Sequence, residues 1–114
     1  MNPALRQALF TADGLLRQGD ARSASIALEN FAAGNDTESD SAEFQFLLAQ
    51  AYFQGGDPGR ARVSADRAVA GRPQWAEAHQ LLGMVLADLE MFGEAARSLE
   101  HALKLSSRRP GFPS

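Results

Sequence analysis

The residues of this 114-residue chain that could do chemistry are two histidines, a few serines, a glycine-rich turn, an acidic run and an arginine cluster. His79 and His101 stand 22 positions apart, with no cysteine in the chain and no His-x-x-His or Glu-x-x-His pair. That spacing builds no metal centre. His79 reads as a core or groove-edge residue and His101 as a solvated one. Gly55-Gly56-Asp57-Pro58-Gly59 has the glycine density of a phosphate loop. It lacks the Lys-Ser/Thr that would follow and the strand that would precede, so it reads as a turn between helices. Ser23, Ser25, Ser39 and Ser41 have no base at nucleophile-activating spacing. Asp36, Glu38 and Asp40 lack both the ligand spacing and the closing Glu of a calcium loop. Arg60, Arg62, Arg67 and Arg72 could meet nucleic acid or acidic lipid, but Asp57 and Asp66 interrupt them without stacking aromatics. They read as a solvated outer face. No catalytic constellation can be assembled and no cofactor or metal is implied. The chain does not read as an enzyme.

Composition narrows the class further. A net charge of −3 and a pI near 5.3 argue against a chain built to neutralise phosphates. Without cysteine there is no disulfide or thiolate chemistry. No run approaches the ~18 apolar residues of a membrane span. Met1 to Gln7 lacks the basic-then-apolar order of a secretion signal. The default compartment is the cytoplasm. Ala and Leu dominate, and Gly and Pro fall between the apolar runs, which predicts one all-α domain.

Six helices follow from start and stop signals. The first opens at Pro3 behind an Asn2 cap and runs to about Gln18, where Gly19 supplies a left-handed end. Asp20 caps the second, which carries Ala24, Leu28 and Phe31 on one face and stops near Gly34. After the acidic loop, Asp40-Ser41-Ala42-Glu43 forms a capping-box variant opening a third helix through Gln54. Gly55-Gly56 ends it, and Asp57-Pro58 starts a fourth that reaches about Gly71. Pro73 precedes a fifth, Gln74 to Glu90. Met91 and Phe92 turn into a sixth, Gly93 to about Leu105. The residues from Ser106 onward form a tail, flexible over 108–114.

These helices repeat. Leu48, Ala49 and Tyr52 return 34 positions later as Leu82, Gly83 and Leu86; Ala61, Ala65 and Ala68 return as Ala95, Leu99 and Ala102. The first helix pair matches the second at an offset of 37, Ala12, Leu15 and Ala24 answering Ala49, Tyr52 and Ala61. The three extra residues fall in the acidic loop. Three repeats result, near 5–38, 42–75 and 76–109. A period near 34 marks stacked helix–turn–helix units, whose faces are buried only against neighbours.

On these residues the chain resembles the tetratricopeptide repeat family. His79, Leu82, Gly83, Leu86, Ala95, Leu99 and Ala102 answer its motif in the third repeat. Gln45, Leu48, Ala49, Tyr52, Ala61, Ala65, Ala68 and Pro73 do so in the second. The first is weaker, with Ala8, Thr11, Ala12, Leu15, Ala24, Leu28 and Phe31. His79 and Gln45 replace a preferred Trp, Ser107 a preferred Pro, and Glu90 takes the place that Gly56 holds at the turn. The resemblance implies an all-α, right-handed solenoid of antiparallel helix pairs that binds other proteins along a concave wall.

That wall would be lined by Arg6, Leu9, Asp13, Leu16 and Arg17 from the first repeat. The second would give Glu43, Phe46, Gln50, Phe53 and Gln54, and the third Glu77, Gln80, Met84, Ala87 and Asp88. Phe46 and Phe53 are two turns apart on one face, placed either to anchor a partner or to pack within the core. Glu43, Glu77 and Asp88 would select an apolar or basic protein segment. One subtype of the family clamps a C-terminal carboxylate with cationic side chains. The matching positions here are Leu9, Asp13, Gln50, Glu77 and Leu81, so capture of an acidic chaperone tail is not expected. Family arrays close with a further amphipathic helix, and none is legible here. Val85, Leu89, Leu103 and Leu105 are therefore expected to form an uncovered patch, suited to a homodimer or left as a modest exposed end. The function expected is a protein-interaction scaffold, with no nucleic acid and no membrane insertion. The alternatives are self-assembly through the third repeat, or the amino-terminal regulatory part of a larger enzyme.

Overall fold

A computed structural model describes residues 2–35 and 41–107. The acidic loop with Asp36, Glu38 and Asp40 and the tail at 108–114 lie outside the described residues. Within them are six helices: α1 Pro3–Arg17, α2 Ala21–Gly34, α3 Ala42–Gln54, α4 Pro58–Gly71, α5 Ala76–Asp88 and α6 Phe92–Ser107. Among the described residues there is no strand. Each odd-numbered helix packs against the even one that follows, and neighbouring pairs stack. The fold is an all-α helical repeat.

Local chemistry sets the boundaries. The Asn2 side chain accepts from the Ala4 amide, and Asp20, Ser41 and Asp57 accept from the amides of Ser23, Phe44 and Arg60. These bonds satisfy donors that a helix start leaves unpaired. At Asp20 the bonds from Ser23 hold its carboxyl below the usual Asp range. The three turns inside the repeats share one geometry. Asp20, Asp57 and Met91 amides each reach back five residues, to the carbonyls of Leu15, Tyr52 and Leu86 at 2.8, 2.8 and 2.9 Å. Before each of them stands a residue with positive φ: Gly19 at 81°, Gly56 at 84° and Glu90 at 62°. The third turn thus keeps its shape with a side chain in the left-handed region, which costs about 1 kcal/mol.

The last two helices differ from the sequence expectation at their ends. α5 begins at Ala76 rather than Gln74, because the Trp75 amide bonds the Arg72 carbonyl and closes a turn over Pro73-Gln74. It ends at Asp88 because the left-handed Glu90 stops it. α6 starts at Phe92, one residue early.

The core divides at the repeat boundaries. One cluster joins Leu5, Ala12, Leu16, Ala24 and Leu28 of the first repeat to Phe44, Leu48 and Ala51 of α3. The other joins Ala49, Ala61 and Ala65 of the second repeat to Leu81, Leu82, Val85 and Leu86 of α5, with Ala95 of α6. Each cluster is therefore closed by the first helix of the next repeat. Small residues allow the close approach within a pair. A Cβ placed on Gly83 would fall 2.6 Å from Leu99 Cγ and 3.3 Å from the Ala95 carbonyl oxygen. The equivalent pair in the second repeat is Ala49 and Ala65, so small-against-large becomes small-against-small.

Candidate partner-binding surface

The first helices of successive repeats touch one another, so α1, α3 and α5 form one wall. Between α3 and α5 this wall holds an open pocket of about 260 Å³ lined by Phe46, Gln50, Glu77, Gln80, Leu81 and Met84. Five of the six are residues expected to line the groove. Leu81, expected at a clamp position, forms the pocket's largely buried floor. Phe46 and Phe53 are both half-buried against the second core cluster, so each combines packing with a wall position. Phe46 lines the pocket; Phe53 is outside it. Asp88 and Gln54 are exposed one helix end away, and Ala87 packs partly onto the same cluster.

A feature that sequence reasoning missed frames this pocket. The Trp75 ring tilts against Phe46 with centroids 4.5 Å apart, and the Arg72 guanidinium lies 4.5 Å from the Trp75 centroid. Arg72 also bonds Glu43 at 3.0 Å. Of the expected acidic rim, Glu43 is thus already engaged by a cation. The available signal was the chain's single Trp, placed in the turn before α5.

The first repeat departs from expectation. Leu16 is buried in the first core cluster and supplies core rather than wall, while Leu9 is half-buried against it and, like Phe46, combines packing with a wall position. The cause is the turn of α1 that faces α2 and α3. Asp13 pairs with Arg17 at 3.0 Å. Arg6 opens instead into a pocket of about 440 Å³ with Pro3, Gln7 and Phe10, at the head of the stack.

The expected end patch is also corrected. Val85 is fully buried among Ala61 and Ala65 of α4, Leu105 is buried, and Leu89 packs against the second cluster. Only Leu103 is exposed as expected. Its exposed apolar companions on α6 are Phe92 and Leu99.

Side chains distant in sequence also meet elsewhere. The rings of His79 and His101 lie 4.3 Å apart, and His79 Nε2 is 2.9 Å from the Pro73 carbonyl. No group of three metal-ligating side chains occurs among the described residues. Between α3 and α2, the Tyr52 hydroxyl donates to Glu29 at 2.6 Å. Burial and this carboxylate push its pKa up to about 12. Three of the four arginines clustered on and just after α4 are compensated: Arg60 by Asp57 at 3.5 Å, Arg62 by Glu94 at 3.6 Å, and Arg72 by Glu43. Among the described residues, no helix is long and apolar enough to cross a membrane.

Comparison with known proteins gives this architecture its relatives. The second tetratricopeptide domain of Spaghetti, solved with an HSP90 peptide, superposes with a TM-score of 0.81 at 17% identity, covering 90% of this chain and 93% of that one. A crystal structure of MamA gives 0.80 at 22% identity over 89% of this chain. MamA from Desulfovibrio magneticus gives 0.79 at 20% identity over 91%. This chain spans 57% of each of those two MamA chains. No curated protein sequence matches it. Family models for the tetratricopeptide repeat match residues 15–85 and 76–108. With three stacked helix pairs, equivalent turns and these matches, the chain belongs to the tetratricopeptide repeat family.

Proposed function

We propose that this chain is a protein-interaction module that takes a partner segment on the wall formed by α1, α3 and α5. The observation that carries this reading is the pocket between α3 and α5, where Met84 and Phe46 present apolar surface beside Gln50, Gln80 and Glu77. Apolar anchors inside a polar rim are the usual anatomy of a recognition site. The Spaghetti domain is bound to an HSP90 peptide of sequence SRMEEVD. The chemistry of that peptide does not suit the groove here. Its clamp positions hold Leu9, Asp13, Gln50, Glu77 and Leu81, none of them cationic. Glu77 and Asp88 instead favour an apolar segment carrying basic residues.

A peptide-display selection tests this. Sequences enriched on the wild-type chain should combine apolar and basic residues, and enrichment should vanish on Met84→Glu, a half-exposed position that tolerates a charge without unfolding. Enrichment of acidic C-termini, or of the same peptides on Met84→Glu, would contradict the reading.

A further inference from the structure

The two ends of the stack are complementary through the internal repeat. Leu28, Ala65 and Leu99 occupy equivalent positions on α2, α4 and α6, with exposures of 0%, 1% and 40%. Ala32, Val69 and Leu103 are the next equivalent set: the first two pack against core clusters, while Leu103 is 69% exposed. The difference has one structural cause. α2 and α4 are each covered by the first helix of the following repeat, and among the described residues no such helix covers α6.

The residue that does the covering is also repeated. Leu47 of α3 packs onto the first cluster, and Leu81 of α5 is buried in the second. Their equivalent in α1 is Phe10, which is 78% exposed at the head of the stack, beside Pro3, Arg6 and Gln7. The chain therefore presents, at opposite ends, both halves of the junction it builds twice internally.

We infer that a second copy of this chain stacks head to tail on the first, with Phe10 of one copy seated on the Leu99–Leu103 face of the other. This junction continues the α2–α3 and α4–α5 packing across a molecular boundary. Phe10 brings a bulkier side chain than Leu47 or Leu81, and the α6 face that would receive it is exposed at Leu99 and Leu103. The contact is heterologous, since the head and tail surfaces differ. It leaves one head and one tail free on every open assembly, so growth passes two copies unless a ring closes. This goes beyond groove binding and uses none of the pocket residues.

Light scattering on the full chain and two variants tests it. Phe10→Glu removes the head and Leu103→Glu the tail. Both positions lie largely in water, so helicity by circular dichroism should be unchanged. The wild-type weight-average mass should climb with concentration past that of a dimer. Each variant alone should be monomeric over the same range, its association weakened at least about 30-fold, as for loss of a central interface anchor. Mixed in equal amounts, the two should form a dimer and grow no further, because one intact head meets one intact tail. A Phe10→Glu chain that still dimerises would overturn the inference in favour of a two-fold contact between tails. Monomeric wild type throughout would overturn it as well.

Discussion

The inner junctions and the outer ends of this stack are built from the same sequence positions and have opposite fates. Leu28 of α2 is sealed under α3, whereas Leu99, the same residue at the equivalent place on α6, meets Gly83 on one side and water on the other. A motif position in a repeat protein is therefore not core or surface by type. Its neighbour decides, and stability should be distributed accordingly.

The largest expected effect breaks this comparison directly. Leu28→Ala should cost about 2–5 kcal/mol by leaving a cavity in a fully enclosed site. At concentrations low enough to keep the chain monomeric, Leu99→Ala should cost about 1 kcal/mol, because much of that side chain is already hydrated in the single chain. Denaturant midpoints of the two variants measure the gap. Equal losses would mean that α6 is covered in solution.

The turns sharpen it at a smaller scale. Asp20 and Asp57 cap α2 and α4, but Met91 holds the equivalent place before α6 and offers no carboxylate. Met91→Asp should add about 1 kcal/mol by supplying the missing cap, less whatever the contact of Arg62 with the Met91 sulfur contributes. Glu90→Gly should add about 0.5–1 kcal/mol by relieving the left-handed backbone, while Gly56→Glu at the equivalent place should lose a similar amount. Thermal melts of the three variants check both statements.

A pH measurement addresses the inner junction alone. Tyr52 is the chain's single tyrosine, so absorbance near 295 nm titrates it without overlap. Its ionisation midpoint should lie near 12 in the folded chain. In denaturant it should return to about 10. Because the folded state holds this proton more tightly, the contribution is complete below pH ~10 and is lost as pH rises from there toward 12. A folded midpoint near 10 would show that neither the burial of Tyr52 nor its Glu29 bond is kept in solution.

Much of this was legible in the chain because its cues are local. The Asn2, Asp20 and Asp57 caps, Pro3 and Pro58 at first helical positions, and the glycines at 19 and 56 lie within a few residues of what they control. The offsets of 34 and 37 then carried one repeat onto the next. What escaped was set by neighbours in space. Arg72 meets Glu43 across 29 positions and His79 meets His101 across 22, and no window of sequence joins them. Val85 lies in a helix apolar on nearly every side, so its pattern could not tell the face turned to α4 from the face turned outward. The residues that line the α3–α5 pocket could be placed on one face because they recur at equivalent positions. At α1 the same reading put Leu16 on the wall, although that side chain is drawn into the first core cluster.

The most direct measurement on the functional claim uses Trp75, the chain's single Trp, packed on Phe46 at the pocket's edge. Titration with an apolar, basic peptide from the display selection should shift its emission saturably, with the shift abolished in Met84→Glu and retained in Leu103→Glu. A peptide that binds while Trp75 emission stays constant, or whose shift survives in Met84→Glu, would place the recognition surface away from the α3–α5 wall and contradict the account.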